Sequence, residues 1–135
     1  MKEIIDFLYD NPMGCLASID DDGRPHVRPW EFMFEQDCKL WFCTANTKDV
    51  FCQLQCNPAI EFCSTSKDSV TVRVSGEVIF GIDLNIKRKM LEMNDLVKSR
   101  FKTPDNPEFE IFYLKHGLAT MYDFKKEEEV ALRCF

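Results

Sequence analysis

Gly23-Arg24-Pro25-His26-Val27-Arg28-Pro29, followed one strand later by Phe42-Cys43-Thr44-Ala45-Asn46-Thr47-Lys48-Asp49, is the stretch on which the reading of this chain turns. Asp21-Asp22-Gly23 supplies turn chemistry just before it. His26, Arg28, Trp30, Phe32 and Phe34 then alternate with Val27, Glu31 and Met33, a period of two that predicts a strand over 25–35. Pro25 and Pro29 cannot donate to a ladder, which places part of this strand at a sheet edge or bulge. After a Gln36-Asp37 turn, 39–44 reads as another strand. Residues 47–57 read as a helix with Val50, Phe51 and Leu54 inward, stopped by Asn57-Pro58.

Upstream, Ile4, Ile5 and Leu8 predict a short helix that ends at Asn11-Pro12, and the alternation from Met13 through Ile19 predicts the first strand of a hairpin. Downstream, 59–65 is a strand and Lys67-Asp68-Ser69 a turn. Val70, Val72, Val74, Val78 and Phe80 then alternate with Thr71, Arg73, Ser75 and Glu77, giving one apolar and one polar face. That polar face calls for a partner. Ile86, Met90, Met93, Val97 and Phe101 recur at helical spacing over 83–101, with Asp83 as its cap and the methionines as core filler. Residues 102–107 form a loop, 110–124 is β again around Lys115-His116-Gly117, and the chain ends in a Lys-Glu run and a tail over 130–135. Antiparallel strands at short spacing, with helices between them, point to a small closed or partly closed barrel in one domain over 1–135.

Composition narrows the function. The 45% hydrophobic content with 12 Phe is globular usage, while a net charge of −6 disfavours binding to a phosphate backbone, so no nucleic-acid partner is expected. No run approaches the roughly 20 apolar residues of a membrane span. The opening MKEIIDFLYD has acids where an export signal has bases, so neither membrane insertion nor export is expected. Seven cysteines at 15, 38, 43, 52, 56, 63 and 134 form no C-x-x-C pair; Cys52 and Cys56 share a helix face but lack companions for a metal. A reducing cytoplasm fits this usage.

Within that acidic chain, Arg24, His26 and Arg28 gather potential cations on one strand, and Thr47 and Lys48 stand where a helix start offers unpaired N–H donors to an anion such as phosphate. One cation about 4 Å from a phosphate charge is worth roughly 4 kcal/mol at an effective dielectric near 20, so a local cluster outweighs distant carboxylates. Spacing alone favours the plainer reading, with Arg24, Arg28 and Lys48 as solvated charges and Thr47 as a helix cap, and Arg73 shares that ambiguity.

The order of G-R-P-H-V-R-P, K-L-W-F-C-T-A-N-T-K-D-V, N-P-A-I-E-F-C, V-R-V-S-G-E-V and F-E-I-F-Y-L-K-H-G-L-A-T-M-Y resembles the pyridoxamine 5′-phosphate oxidase-like FMN-binding proteins, including their nitroimidazole-resistance branch. The resemblance implies a mainly β (α+β) fold, a six-stranded antiparallel split β-barrel with flanking helices. By position it implies that His26, Val27, Arg28 and Pro29 line the isoalloxazine ring, that Cys43 and Thr44 meet the ribityl chain or ring edge, and that Thr47 and Lys48 hold the phosphate. Thr71 and Arg73 match a strand that approaches the flavin from a second subunit, implying a homodimer with FMN at its interface.

Trp30, Phe32 and Tyr122 are aromatic candidates for packing near the ring or, as ordinary β residues, for the core. His26 and His116, the only histidines, are the candidate proton donors. The run after Tyr122 lacks the C-terminal Arg and His substrate signature of the true oxidases, which argues against vitamin B6 oxidation. The expected activity is flavin-dependent oxidation or reduction of a small planar substrate, with three alternatives: a non-catalytic flavin store or sensor, a haem binder, and a deazaflavin binder on the same fold.

Overall fold

The computed structural model describes residues 1–135. Helix α1 (Lys2–Asp10) buries Ile4 and Leu8 completely. The hairpin of β1 (Met13–Ile19) and β2 (Pro25–Glu31) follows, and its turn is organised by Asp20. The Oδ1 of Asp20 accepts the N–H groups of Asp22 and Arg24 at 2.9 Å, while Gly23 takes φ +75°, a conformation open to glycine without steric cost. Next come β3 (Phe34–Gln36), β4 (Lys39–Ala45), α2 (Asp49–Cys56), β5 (Ala59–Thr65), β6 (Val70–Glu77) and β7 (Ile79–Gly81). The chain closes with α3 (Leu84–Met93), α4 (Asp95–Phe101), β8 (Phe109–Leu114), β9 (Gly117–Asp123) and β10 (Glu128–Cys134).

All strand pairs are antiparallel and form two sheets, one of six strands in the order β10-β9-β6-β5-β1-β2 and one of four in the order β3-β4-β8-β7. This is the mainly β split barrel with flanking helices that the resemblance implies. The proline-bearing β2 lies at the edge of its sheet, where missing N–H donors cost no ladder bond.

Three expected elements are divided in the structure. The run over 25–35 changes sheets after Glu31, where Phe32 N–H donates to the Pro12 carbonyl at 2.8 Å and Met33 N–H to the Trp41 carbonyl at 3.0 Å. The run over 70–80 does the same at Val78, whose N–H donates to the Pro58 carbonyl at 2.9 Å. The helix over 83–101 becomes two: Asp83 caps α3 by accepting the Asn85 N–H at 2.8 Å, and Asn94 caps α4 by accepting the Val97 N–H at 3.0 Å. The tail over 130–135 belongs to a strand, β10. A register shift between Glu129 and Ala131 interrupts its period, which is why alternation does not reveal it.

The two sheets enclose the main core, where Leu16, Phe62, Val74 and Ala119 of the larger sheet meet Leu40, Phe42, Phe112 and Leu114 of the smaller. A second core lies behind the smaller sheet, where Trp41, Phe109 and Ile111 pack against Ile86, Met90, Val97 and Phe101 of α3 and α4. The layers are therefore large sheet, core, small sheet, core and helix pair. No helix is long and apolar enough to cross a membrane.

Candidate functional site

A groove runs along the β2 edge between the end of β4, the start of α2 and the flank of α4. Three adjoining hollows make it up. The first, of about 320 Å³, is polar and lies among His26, Arg28, Pro29, Trp30, Lys48 and Gln53, with Asp49 and Val50 completing its wall. The second, about 200 Å³, continues past Pro29, Trp30 and Lys48 to Met13, Glu31, Met33, Cys43 and Val97. The third, also about 200 Å³, passes from Cys43, Thr44 and Lys48 to Leu96 and Arg100 on α4. Lys48 borders all three.

The polar end owes its shape to Arg28. Its Nη1 donates to Ser18 Oγ at 2.9 Å and to the Leu16 carbonyl at 3.3 Å, and Nη2 donates to Gln53 Oε1 at 3.2 Å. Ser18 Oγ also donates to Gln53 Oε1 at 2.7 Å, so one guanidinium ties β1, β2 and α2 together. Burial depresses the Arg28 pKa, yet a guanidinium stays charged and brings a cation to the groove. Beside it, His26 Nε2 lies 2.7 Å from Asp20 Oδ2. That contact first, then the Arg24 N–H, holds the Asp20 carboxyl below its usual range.

Lys48 is the N-cap of α2, and no side chain caps this helix end. Its exposed ammonium stands 5.9 Å from the Trp30 ring centroid, with Asp49 as the one acid of the first turn. The end of α2 thus keeps both a lysine and helix N–H donors turned toward solvent. Nearby, Thr44 is only 3% exposed and its Oγ1 has no hydrogen-bond partner. The Lys48 ammonium where the hollows meet, the Arg28 cation at the polar end and the apolar walls of Pro29, Trp30 and Val97 suit a ligand that joins an anionic group to a flat one.

Cys43 is half-buried beneath this groove. Burial, then the Glu31 charge, pushes its thiol up to about 12, with Lys48 opposing. It is a neutral wall residue and not an activated nucleophile.

Among the residues singled out in the sequence, His26, Arg28, Pro29, Cys43, Thr44 and Lys48 converge on the groove. Thr47 is exposed one residue before the cap of α2 and borders none of the three hollows. Val27 points the other way and is 70% exposed. Trp30 serves both readings, bordering the groove and packing at 6.0 Å on Phe112, whereas Phe32 is core, edge-on to Phe42 at 5.9 Å. His116 lies in the β8–β9 turn, away from the groove.

Thr71 and Arg73 stand three strands away from β2, on the outer face of the large sheet. Side chains directly opposite in a ladder share a face. The register therefore sets Pro29, Cys15, Cys63, Arg73, Thr120 and Leu132 in one row across all six strands. Thr71 Oγ1 and Thr65 Oγ1 lie 2.8 Å apart, and Arg73 pairs with Glu61. Tyr122, opposite Thr71 on this face, packs on Phe124 at 4.9 Å. No helix covers the face, and Met13 (59% exposed), Val27, Leu118 (41%) and Leu132 (49%) lie open on it.

Sequence reasoning missed Gln53, which meets Arg28, and also Met13, Val97 and Arg100. Gln53 falls one turn after Asp49 and was within reach of helical spacing. The α4 residues were not, because the break at Asn94 redirects them.

Comparison with known proteins agrees with this architecture. No curated protein matches the chain. A NimC/NimA family protein from Clostridium acetobutylicum superposes with a TM-score of 0.88 at 29% identity, over 100% of this chain and 93% of that one. A pyridoxamine 5′-phosphate oxidase-related, FMN-binding protein from Nostoc punctiforme gives 0.68 at 16% identity, over 99% and 91%. A heme-binding protein from Mycobacterium smegmatis gives 0.75 at 12% identity, over 98% of this chain and 56% of that one. These last two likenesses speak to fold alone. The pyridoxamine 5′-phosphate oxidase family model matches residues 1–115, and the chain belongs to that family.

Proposed function

We propose that this protein binds FMN in the groove along β2 and works as a flavin-dependent oxidoreductase on a small planar substrate, as a homodimer in the cytoplasm. The observation that carries the reading is Lys48 at the uncapped start of α2, where three hollows meet. A phosphate there would gain the lysine charge and the helix N–H donors together. His26, Arg28 and Pro29 would then face the ring from β2, with Cys43 and Thr44 beneath the ribityl chain.

Bound FMN would supply hydride or electron exchange at its N5. The chain's own contribution is to bind, orient and dry the site. Arg28 is already fixed by Ser18 and Gln53, so it brings a cation to the groove without reorganising. Trp30 and Pro29 wall the middle of the groove, and a ring seated against them would displace its water. His26 is the proton donor within reach of the polar end.

The bare outer face supports the homodimer. It carries exposed apolar side chains beside the groove edge at Met13 and Pro29, and the same row reaches Arg73. A second copy would cover it and bring Thr71 and Arg73 toward the flavin.

Titration of the purified protein with FMN tests the cofactor. Bound flavin bands near about 370 and 450 nm are expected. A single intense Soret-type band from the protein as purified would establish haem instead, and no binding of FMN would end the assignment. Anaerobic NAD(P)H oxidation with nitroaromatics or quinones then separates an enzyme from a flavin store: turnover is expected, and its absence with every acceptor would favour the store.

A further inference from the structure

Cys15 on β1 and Cys63 on β5 face each other directly across an antiparallel ladder, the only one of the chain's cysteine pairs so placed. Both lie on the bare outer face, Cys15 exposed and Cys63 half-buried. Directly opposite residues in such a ladder have Cα atoms about 4.5–5.5 Å apart, inside the roughly 4.4–6.8 Å that a disulfide spans. Their Cβ atoms, at about 4.5–5.5 Å, are farther apart than the mean of about 3.8 Å in a relaxed disulfide. A bond here must draw the strands together, and bonds strained in this way are readily reduced.

We infer that Cys15 and Cys63 form a reversible cross-strand disulfide by exchange with small-molecule disulfides of the glutathione type. The exchange takes place on the free subunit, before a second copy covers this face; there the exposed Cys15 attacks first, forming a mixed disulfide and releasing one thiol. Cys63 then attacks the Cys15 sulfur and releases the second. In sum, two protein thiols and one disulfide give one protein disulfide and two small thiols, with both protons carried off on the leaving sulfurs. Arg73, directly opposite Cys63 on β6, favours the anionic form of that sulfur, although burial raises its pKa overall. On its other side Cys15 pairs with Pro29, so closing the bond acts on the strand that carries the groove.

The test uses the full chain, reduced, freed of reductant and exposed to oxidised glutathione. Remaining thiols are then blocked, and the protein is digested without reduction for mass spectrometry. The expected product is a Cys15 peptide linked to a Cys63 peptide, reversed by reduced glutathione and absent from Cys15→Ser and Cys63→Ser. In Cys63→Ser, glutathione stays trapped on Cys15. Retention of both thiols in the native chain, glutathione halted on Cys15 despite the presence of Cys63, or a link between two chains would each overturn the inference. Sedimentation of dilute and concentrated samples reads the subunit contact separately: free subunits without the bond refute this inference alone, and a chain that stays monomeric at every concentration refutes the dimer alone.

Discussion

The two faces of the six-stranded sheet are written by alternate residues of the same strands, yet they have little in common. The inner face presents Leu16, Phe62, Val74 and Ala119, each fully buried against the smaller sheet. The outer face, in the very next positions, presents Cys15, Cys63, Arg73 and Thr120 with nothing packed on it. Burial of apolar area accounts for the first set, whereas the second is left open to solvent. A strand with period two can thus specify a core and an open, mixed face at once.

That contrast is open to experiment. Phe62→Ala strikes the inner face and is expected to cost about 3–5 kcal/mol in urea denaturation, because the cavity it leaves is enclosed by Phe42 and its neighbours. A loss below about 1 kcal/mol would mean that this face is less tightly packed than its burial implies. Cysteine reactivity draws the same line without mutation. With its thiol pushed up to about 12, Cys43 should alkylate at pH 8 about a thousandfold more slowly than an exposed cysteine of ordinary pKa, measured by mass mapping of the native protein. Labelling at a comparable rate would show the groove floor opening.

Lys48→Ala, at the border of the groove, is expected to weaken FMN binding by about 1–3 kcal/mol, measured by titration, while leaving the denaturation midpoint nearly unchanged. Unchanged affinity would return Lys48 to the solvated surface. The smallest effect belongs to the outer face itself: Val27→Ser should shift chain stability by no more than about 0.5 kcal/mol at protein concentrations too low for self-association. A larger loss would mean that Val27 is packed within the chain and does not lie open on this face.

Much of this arrangement is written locally in the sequence. The turn at Asp21-Asp22-Gly23, the alternation of β6 and the Asp83 cap each depend on residues within a few positions of one another, and each appears as expected. The sheet changes at Phe32 and Val78 do not, since their reason is a carbonyl supplied from elsewhere, Pro12 or Trp41 in one case and Pro58 in the other. The candidate site divides the same way. His26, Arg28, Pro29, Cys43, Thr44 and Lys48 were legible from the strand edge, the helix start and the resemblance. The α4 wall needed the break at Asn94, while Thr71 and Arg73 lie on β6, three strands from the groove edge.

The two tryptophans give the molecule a pair of optical reporters in separate compartments. Trp30 borders the groove with the Lys48 ammonium near its ring, whereas Trp41 is buried behind the smaller sheet with Tyr113 4.7 Å away. A chromophore seated in the groove should quench the first by direct contact, and loosening of the helix pair should red-shift the second. The emission spectrum of the native chain therefore superimposes the groove and the helix pair, and Trp41→Phe would leave a protein whose tryptophan fluorescence comes from the groove side alone.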